Sequence, residues 1–253
     1  MLSEPFAVGD SPLHHLDPRL RLVAAAAFSI VTAVCMQFSA LTAALAAAVT
    51  LTGLARLRAA EVLKRLLVVN GFIIFLWVAV PLTFPGEPLF HLGPLAAARE
   101  GVALAGRITL KSNAIVLAFI ALVATMPFAT AGHALHRLRV PDKIVHLMLM
   151  TYRYIFVLEQ EYRRLRRAAA IRGFRPGTNL HTYRTYAYLL GMLLVKAVDR
   201  AERVRWAMLC RGFQRRFYSL QEFRSGASGA LFLVLMTAAV ATIAILELGA
   251  AAW

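Results

Sequence analysis

The chain has few acidic residues and few cysteines. Of its 253 residues, 13 are Asp or Glu and two are Cys, compared with 28 Lys or Arg. The sequence also lacks an HExxH motif, a Cys/His cluster with metal-ligand spacing and a Gly-rich loop followed by Lys-Ser/Thr. These absences argue against a zinc protease, a structural zinc site and nucleotide binding through a P-loop.

The stretches without charged residues are rich in apolar residues. The chain is 60% hydrophobic with a mean hydropathy of +0.65, whereas globular domains contain about 45–50% apolar residues. Several apolar runs approach the roughly 20 residues that a helix needs to cross a bilayer. Because backbone polar groups in lipid must be satisfied within the protein, the spans must be helices. We therefore predict an all-α membrane protein with about five transmembrane helices and long amphipathic cytoplasmic helices.

The predicted spans are separated by polar or Pro/Gly-rich connections. Before the first span, Asp17 is placed to cap a helix and Pro18 fits its first turn. The five spans cover residues 20–36, 39–55, 66–84, 101–126 and 227–248. The chain is thereby divided into residues 1–127 with four spans, residues 128–225 as a cytoplasmic region, and residues 226–253 with the fifth span.

Basic residues are concentrated in the cytoplasmic region. Residues 128–225 hold 19 of the 28 basic residues and 6 of the 13 acidic ones, a net charge of +13. Because Lys and Arg remain on the cytoplasmic side, the amino terminus and this region are predicted inside and the carboxyl terminus outside. Cys35 and Cys210 then lie on opposite sides and predict no disulfide. The charge predicts contact with anionic lipid. No base-reading motif accompanies it, so nucleic acid is not an expected partner.

Two charges fall inside the fourth span. Arg107 and Lys111 lie one helical turn apart. A charge inside a membrane span is a functional candidate by default, here for a substrate path. Both side chains are also long enough to reach the interface or to pair inside the bundle. The sequence leaves both interpretations open.

The cytoplasmic region contains one helix pattern twice. Residues 142–172 lack proline and contain no glycine, and residues 183–211 are interrupted only by Gly191, so each stretch predicts a long helix. Counting back from Arg172 and Arg211 in steps of three and four gives two mostly apolar stripes. Each member of the second stripe lies 39 positions after its counterpart. The stripes are Ala169, Leu165, Tyr162, Leu158, Ile155 and Thr151, and Met208, Val204, Ala201, Ala197, Leu194 and Leu190.

Each predicted helix ends in Arg-Gly-Phe. Gly173 and Gly212 follow the arginines, and a glycine past a helix end closes the last turn in the left-handed conformation. Phe174 and Phe213 are then placed to fold back on that turn, while the helix dipole favours the arginine. One such ending is a common stop signal. Two with matching stripes predict two docking tips for two similar cytoplasmic subunits, since a guanidinium binds a carboxylate bidentately.

Four segments resemble the transmembrane coupling proteins of energy-coupling factor (ECF) transporters, the EcfT family, and within it the CbiQ group of cobalt uptake systems. The segments are LDPRLRL (16–22), MPFATAGHALHRLRVPDKIVHLMLMTYRY (126–154), RAAAIRGF (167–174) and RAERVRWAMLCRGF (200–213). The paired Arg-Gly motifs are the specific part of the likeness. The family usually has Ala before Arg-Gly, whereas this chain has Ile171 and Cys210.

The resemblance implies a function and partners. Arg172 and Arg211 would dock on a dimeric CbiO-like ABC ATPase, one tip on each subunit. The flanking residues of each tip complete the two docking sites: Ile171, Gly173, Phe174, Cys210, Gly212 and Phe213. A CbiM-like substrate-binding membrane subunit and a small CbiN-like subunit would join it in the bacterial inner membrane. ATP would bind the ATPase, the transported ion would be Co²⁺, and this chain would bind no cofactor and catalyse no reaction.

Two alternatives to this function stay open. The same kind of subunit serves nickel or vitamin importers. A different class is an integral-membrane lipid-modifying enzyme whose basic helices bind phosphate headgroups. That class needs acidic or nucleophilic residues converging at the membrane face, and the six acids of residues 128–225 form no such pattern.

Overall fold

A computed structural model of the chain describes residues 11–83, 88–92, 95–213 and 226–251, together with Phe6 and Gly9. These residues form helices and one two-stranded hairpin, so the predicted all-α membrane class is confirmed. The elements are α1 (Pro18–Val34), α2 (Phe38–Leu54), α3 (Ala59–Thr83), β1 (Pro88–Leu92), β2 (Leu95–Ala98), α4 (Arg99–Leu122), α5 (Phe128–Arg137), α6 (Asp142–Ile171), α7 (Leu180–Cys210) and α8 (Ala227–Ala251).

The described residues divide into two compact units. The first unit, here called the membrane unit, runs to Ala134 and resumes with α8. The second, here called the helix-pair unit, begins at Leu135 near the end of α5 and contains α6 and α7. The sequence-based division falls at residues 127/128 and 225/226, and residues 214–225 lie outside the part of the chain that the structure describes.

Three helices of the membrane unit are long and apolar enough to cross a bilayer. In the described residues they are Ala59–Thr83, Arg99–Leu122 and Ser228–Gly249. The helices α1 and α2 have 17 residues each, which is the lower limit for a span. All five helices pack in one bundle, with α4 against α1, α2 and α3, and α8 against α1 and α2.

Successive helices of the bundle run in opposite directions. The start of α1 meets the end of α4 through Arg21 and Leu122, and Asn70 of α3 faces Asn113 of α4 across the antiparallel pair. The helix α8 runs parallel to α1, since Gly229 lies against Leu20 at one end. At the same end, α4 is followed by α5.

Alanine forms the closest interface of the bundle. On α2, Ala40, Ala44 and Ala48 are fully buried at four-residue spacing, and Ala114 and Ala118 are fully buried on α4. Small side chains let the two backbones approach closely, which is the main source of helix association in lipid. The alanine-rich second span therefore serves internal packing. Between α3 and α4, the reciprocal amide bonds of the Asn pair, 3.1 Å each, add a polar link.

The end of the bundle that the charge distribution predicts to be cytoplasmic contains a buried arginine. Asp17 caps α1 by accepting a hydrogen bond from the Arg19 backbone, 3.0 Å away, and Pro18 occupies the first turn, which confirms both predictions. One turn on, Arg21 is 1% exposed. Its Nε donates to the carbonyl of Leu122, 3.0 Å away, and its guanidinium also donates to the Thr125 hydroxyl. The side chain thus satisfies the open carbonyl end of α4.

The opposite end is held by Glu247 of α8. Its two carboxylate oxygens accept hydrogen bonds from the backbone N–H groups of Met36 and Gln37, at 2.8 and 3.0 Å. These N–H groups precede α2, whose N-cap residue makes no side-chain capping bond. A carboxylate at a helix N-terminus is favoured by the open N–H groups and the helix dipole. The last helix therefore caps the second one.

Several predicted boundaries are wrong. The fourth span was expected to reach residue 126, but α4 ends at Leu122 because Pro127 disfavours helix in the residues before it. The third helix begins at Ala59, before the predicted residue 66, since no helix breaker separates its polar start from the apolar run. The helix α7 begins at Leu180 and not at residue 183.

Two elements were not predicted from the sequence. Within the expected loop 85–100, β1 and β2 pair antiparallel, with Phe90 opposite Ala97. The helix α5 forms between the fourth span and α6, where no helix was predicted. Both elements are short, and neither changes the order of the spans.

Candidate functional site

The first Arg-Gly-Phe motif ends α6 in the predicted manner. Arg172 is the C-cap residue, and Gly173 follows with a φ of +83°. The N–H of Gly173 bonds to the carbonyl of Ala170 at 3.0 Å, and that of Phe174 bonds to the carbonyl of Ala169 at 3.1 Å. This pair of bonds is the Schellman motif, which stops a helix sharply. The arginine is therefore fixed at a helix tip.

The second motif has the same geometry. Arg211 is the C-cap residue of α7, and Gly212 has a φ of +74°. The Gly212 N–H bonds to the carbonyl of Leu209 at 3.0 Å, and the Phe213 N–H bonds to that of Met208 at 3.1 Å. Backbone conformation and hydrogen bonds are thus repeated at the 39-residue offset.

Both tips are open to solvent. Arg172 and Arg211 are exposed, as are the two glycines. The residues in the position where the resembling family has Ala are also exposed: Ile171 is 87% exposed, and Cys210 is an exposed free thiol. The Ile171 and Cys210 side chains are therefore not packed in the interior of the helix pair. Each tip offers a guanidinium beside one apolar or thiol side chain.

The two phenylalanine rings pack across the helix pair. Phe174, which follows α6, makes an edge contact with Tyr186 near the start of α7, at a centroid distance of 5.7 Å. Phe213, which follows α7, lies 6.1 Å from the ring of His146 near the start of α6. The backbone folds back on each last turn as expected, but the rings reach the other helix. Each tip is thereby anchored at the start of its neighbour.

The helix pair has an approximate two-fold relation. Phe213 lies 39 positions after Phe174, and the position 39 residues after His146 is 185, which adjoins Tyr186. The two ring contacts are therefore equivalent, and α6 and α7 run antiparallel. Two equivalent tips at the ends of such a pair match a partner with two equivalent binding surfaces.

The predicted apolar stripes face each other. A groove of about 790 Å³ lies between the first half of α6 and the second half of α7. Seven stripe residues line it: Thr151, Ile155, Leu158, Ala197, Ala201, Val204 and Met208. Leu190 and Leu194, which were assigned to the second stripe, are exposed instead. The groove is an apolar surface of the helix-pair unit, and Phe213 of the second Arg-Gly-Phe motif also lines it.

Ion pairs line the middle of α6. Glu159 accepts a hydrogen bond from Arg163 at 2.5 Å, which lowers the pKa of the Glu159 carboxyl. Glu161 lies 3.6 Å from Arg164. Its main partner was not predicted: Lys196 of α7 donates a hydrogen bond to the Glu161 carboxylate. Sequence spacing shows partners within one helix but not between two.

The two charges of the fourth span contact the connection between α1 and α2. The Lys111 ammonium donates to the carbonyl of Ala33 at 2.8 Å, near the end of α1. The Arg107 guanidinium lies over the ring of Phe38, 5.3 Å from its centroid. These are packing contacts of the bundle end, and a substrate path past either residue stays a prediction. Among the described residues, no group of three or more His, Cys, Asp and Glu side chains is placed to hold a metal ion.

Replacing either tip glycine is expected to loosen its helix end. Gly212→Ala puts a Cβ on a residue with positive φ, which costs about 1–2 kcal/mol, although no atom lies within 4 Å of the added carbon. Gly191→Ala, in the interior of the same helix, also meets open space and is expected to stabilise by about 0.5–1 kcal/mol. Amide hydrogen exchange at residues 208–213 should rise in the first variant only. Equal exchange in the two variants would contradict the assigned helix end.

An apolar helix bundle and a basic helix pair with two exposed arginine tips define a multi-pass membrane protein. Residues 9–221 match the CbiQ family, described as cobalt transport protein. The chain belongs to this family.

Individual relatives agree with the family match. The cobalt transport protein CbiQ of Rhodobacter capsulatus is 28% identical over 158 residues, covering 62% of this chain and 64% of that protein. The energy-coupling factor transporter transmembrane protein EcfT of Heliobacterium modesticaldum is 26% identical over 215 residues, or 81% of each chain. CbiQ of Salmonella typhimurium is 26% identical over 155 residues, covering 58% of this chain and 68% of that protein. The chain thus spans just under two thirds of the Rhodobacter protein's length.

Proposed function

We propose that the chain is the transmembrane coupling subunit of an ATP-driven importer of the ECF type, and that the transported ion is Co²⁺. The two equivalent Arg-Gly ends of α6 and α7 carry the proposal. A dimeric ABC-type ATPase offers two equivalent acceptor surfaces, and each exposed guanidinium suits an acidic cleft. The names of the Rhodobacter and Salmonella relatives support cobalt.

In this function the chain transmits movement and performs no catalysis. ATP binds to the partner ATPase, whose closing and opening displaces the two tips. The helix pair passes the displacement to the membrane unit and to a CbiM-like subunit that binds the ion, with a small CbiN-like subunit as a further partner. The chain itself holds no cofactor. Nickel or a vitamin in place of cobalt would leave this mechanism unchanged.

The test measures uptake of radioactive Co²⁺ in cells that contain the ATPase and the substrate-binding subunit but lack the chain, before and after the chain is expressed from a plasmid. Expression of the chain should restore uptake, and this uptake should stop when ATP is depleted. A parallel measurement with Ni²⁺ distinguishes the two metals. Uptake that does not depend on the chain, or that continues without ATP, would contradict the proposal.

The proposed sidedness places the helix-pair unit in the cytoplasm and the carboxyl terminus outside, in the bacterial inner membrane. It predicts that Cys210 reacts with a membrane-impermeant maleimide only when the reagent reaches the cytoplasmic face. Cys35, which is 2% exposed, serves as the internal control and should not react from either side. Labelling of Cys210 by the impermeant maleimide in intact cells would contradict the proposed orientation.

A further inference from the structure

One carboxylate is enclosed in a helix pair that is otherwise largely exposed. Within the described helices α6 and α7, three residues are buried: Val145, Glu161 and Thr182. Glu161 is 8% exposed, and its carboxylate accepts a hydrogen bond from Lys196 on the other helix. Burying a carboxylate is costly unless a cation and hydrogen bonds compensate it. The ion pair therefore favours one arrangement of the two helices, in which the Lys196 ammonium reaches the enclosed carboxylate.

This ion pair lies near the centre of the approximate two-fold relation. Arg172 lies eleven residues beyond Glu161, and Arg211 lies fifteen residues beyond Lys196. At a helical rise of 1.5 Å per residue, these segments are about 16 and 22 Å long. Because the helices are antiparallel, the two tips lie on opposite sides of the contact.

We propose that the ion pair between Glu161 and Lys196 is the positioning contact that sets the separation of the two arginine tips. The ring contacts of Phe174 and Phe213 join the helices at their ends, and the ion pair joins them between those ends, so each tip is the end of a segment that starts at the ion pair. A rotation of about 10° around the contact moves the tips by roughly 3 and 4 Å at these segment lengths. Displacements of this size decide whether both guanidinium groups can meet one partner at the same time.

The surrounding charges keep the contact ionised. The hydrogen bond from Lys196 lowers the pKa of the Glu161 carboxyl, with burial opposing it and the positive charges of Lys196, Arg164 and Arg200 adding to the lowering. Glu161 is therefore a carboxylate at neutral pH. Arg164 shares α6 with Glu161, so its charge supports the carboxylate without joining the helices.

The experiment measures the distance between the tips directly. A spin label on native Cys210 and a second on Ile171→Cys stand next to the two arginines, at positions that are both exposed. Double electron–electron resonance on the full chain in lipid nanodiscs then gives the distribution of tip separations. The protein with Cys210 alone provides the background, since Cys35 is buried.

Removing either charge is expected to change that distribution. Glu161→Gln and Lys196→Met should each broaden it and shift its mean by at most about 4 Å, the larger of the two tip displacements for a rotation of roughly 10°. Because the two residues form one contact, the double variant should add little to either single change. Lys196→Arg keeps the charge and should restore the original distribution. Glu159→Gln, which removes the hydrogen bond with Arg163 inside α6, is the matched control.

The proposal is overturned if Glu161→Gln and Lys196→Met give the same distribution as the Glu159→Gln control. Should Lys196→Met fail to fold because it leaves the enclosed carboxylate without its main partner, Glu161→Gln decides alone, since it removes the enclosed charge and the remaining Lys196 side chain is 43% exposed. The meaning of the contact for transport rests on the proposed function, but the distance measurement does not. Altered separation with normal cobalt uptake would contradict the proposed function and leave the positioning contact standing.

Discussion

The double variant Arg172→Ala with Arg211→Ala is expected to lose its ATPase partner and to abolish cobalt uptake. A charge-assisted hydrogen bond contributes about 1.5–3 kcal/mol. Since 1.4 kcal/mol corresponds to a factor of ten, each tip should account for roughly ten- to hundredfold in affinity. Co-purification of the ATPase with the tagged chain, and radioactive Co²⁺ uptake, measure the two effects.

The single variants make the expectation more specific. Each should weaken association and reduce uptake, because one tip remains docked while the movement needs both. Arg172→Lys should restore little, since an ammonium cannot reproduce the bidentate geometry of a guanidinium. Arg166→Ala and Arg203→Ala, which remove exposed arginines from the same two helices, are the controls. Full ATPase binding and undiminished uptake in the double variant would rule out docking through the tips.

The second large effect is expected from Arg21→Met. The substitution leaves the carbonyl of Leu122 and the hydroxyl of Thr125 without the donor that now satisfies them. The Thr125 hydroxyl keeps its hydrogen bond to the Ala121 carbonyl, so the Leu122 carbonyl is the group left unsatisfied. An unsatisfied buried group costs about 1–3 kcal/mol, which is the loss that we expect. For a chain of this size, that corresponds to a fall of about 2–12 °C in the melting temperature.

Thermal unfolding of the purified chain in detergent measures this loss. Arg21→Lys should be intermediate, because an ammonium can reach one acceptor but cannot span both as the guanidinium does. Arg58→Met is the control, since the Arg58 side chain is 87% exposed and lies 3.9 Å from the Glu61 carboxylate in a solvent-accessible ion pair. A melting temperature of Arg21→Met equal to that of the control would show that the buried guanidinium does not hold the end of α4.

The features that the sequence predicted correctly are local. The Asp17 cap and the left-handed Gly173 and Gly212 each depend on residues at most a few positions apart. Rules for capping and helical spacing apply to such features directly. The repeated helix ending was predictable for the same reason, because it is one local pattern that occurs twice.

The features that were not predicted join residues that are distant in the sequence. Arg21 and Leu122 are 101 positions apart, Glu247 and Met36 are 211 apart, and Lys196 and Glu161 are 35 apart. Only the packing of the helices brings these groups together, and a single sequence does not specify which faces meet. Glu247 and Lys196 were visible as isolated charges in or beside apolar stretches, whereas Arg21 and Glu161 lie among other charged residues. An isolated charge indicates a partner without identifying it.

The cap that Glu247 provides for α2 has a consequence for biogenesis. Residue 247 is synthesised some 210 residues after the N–H groups of Met36 and Gln37 that it binds. Until then, two donors at the start of α2 lack this acceptor, and α2 has no side-chain cap of its own. The early helices can therefore enter the membrane in order, but their bundle is completed only when the last helix arrives. The ribosome must finish α6 and α7 before the membrane unit reaches its final stability.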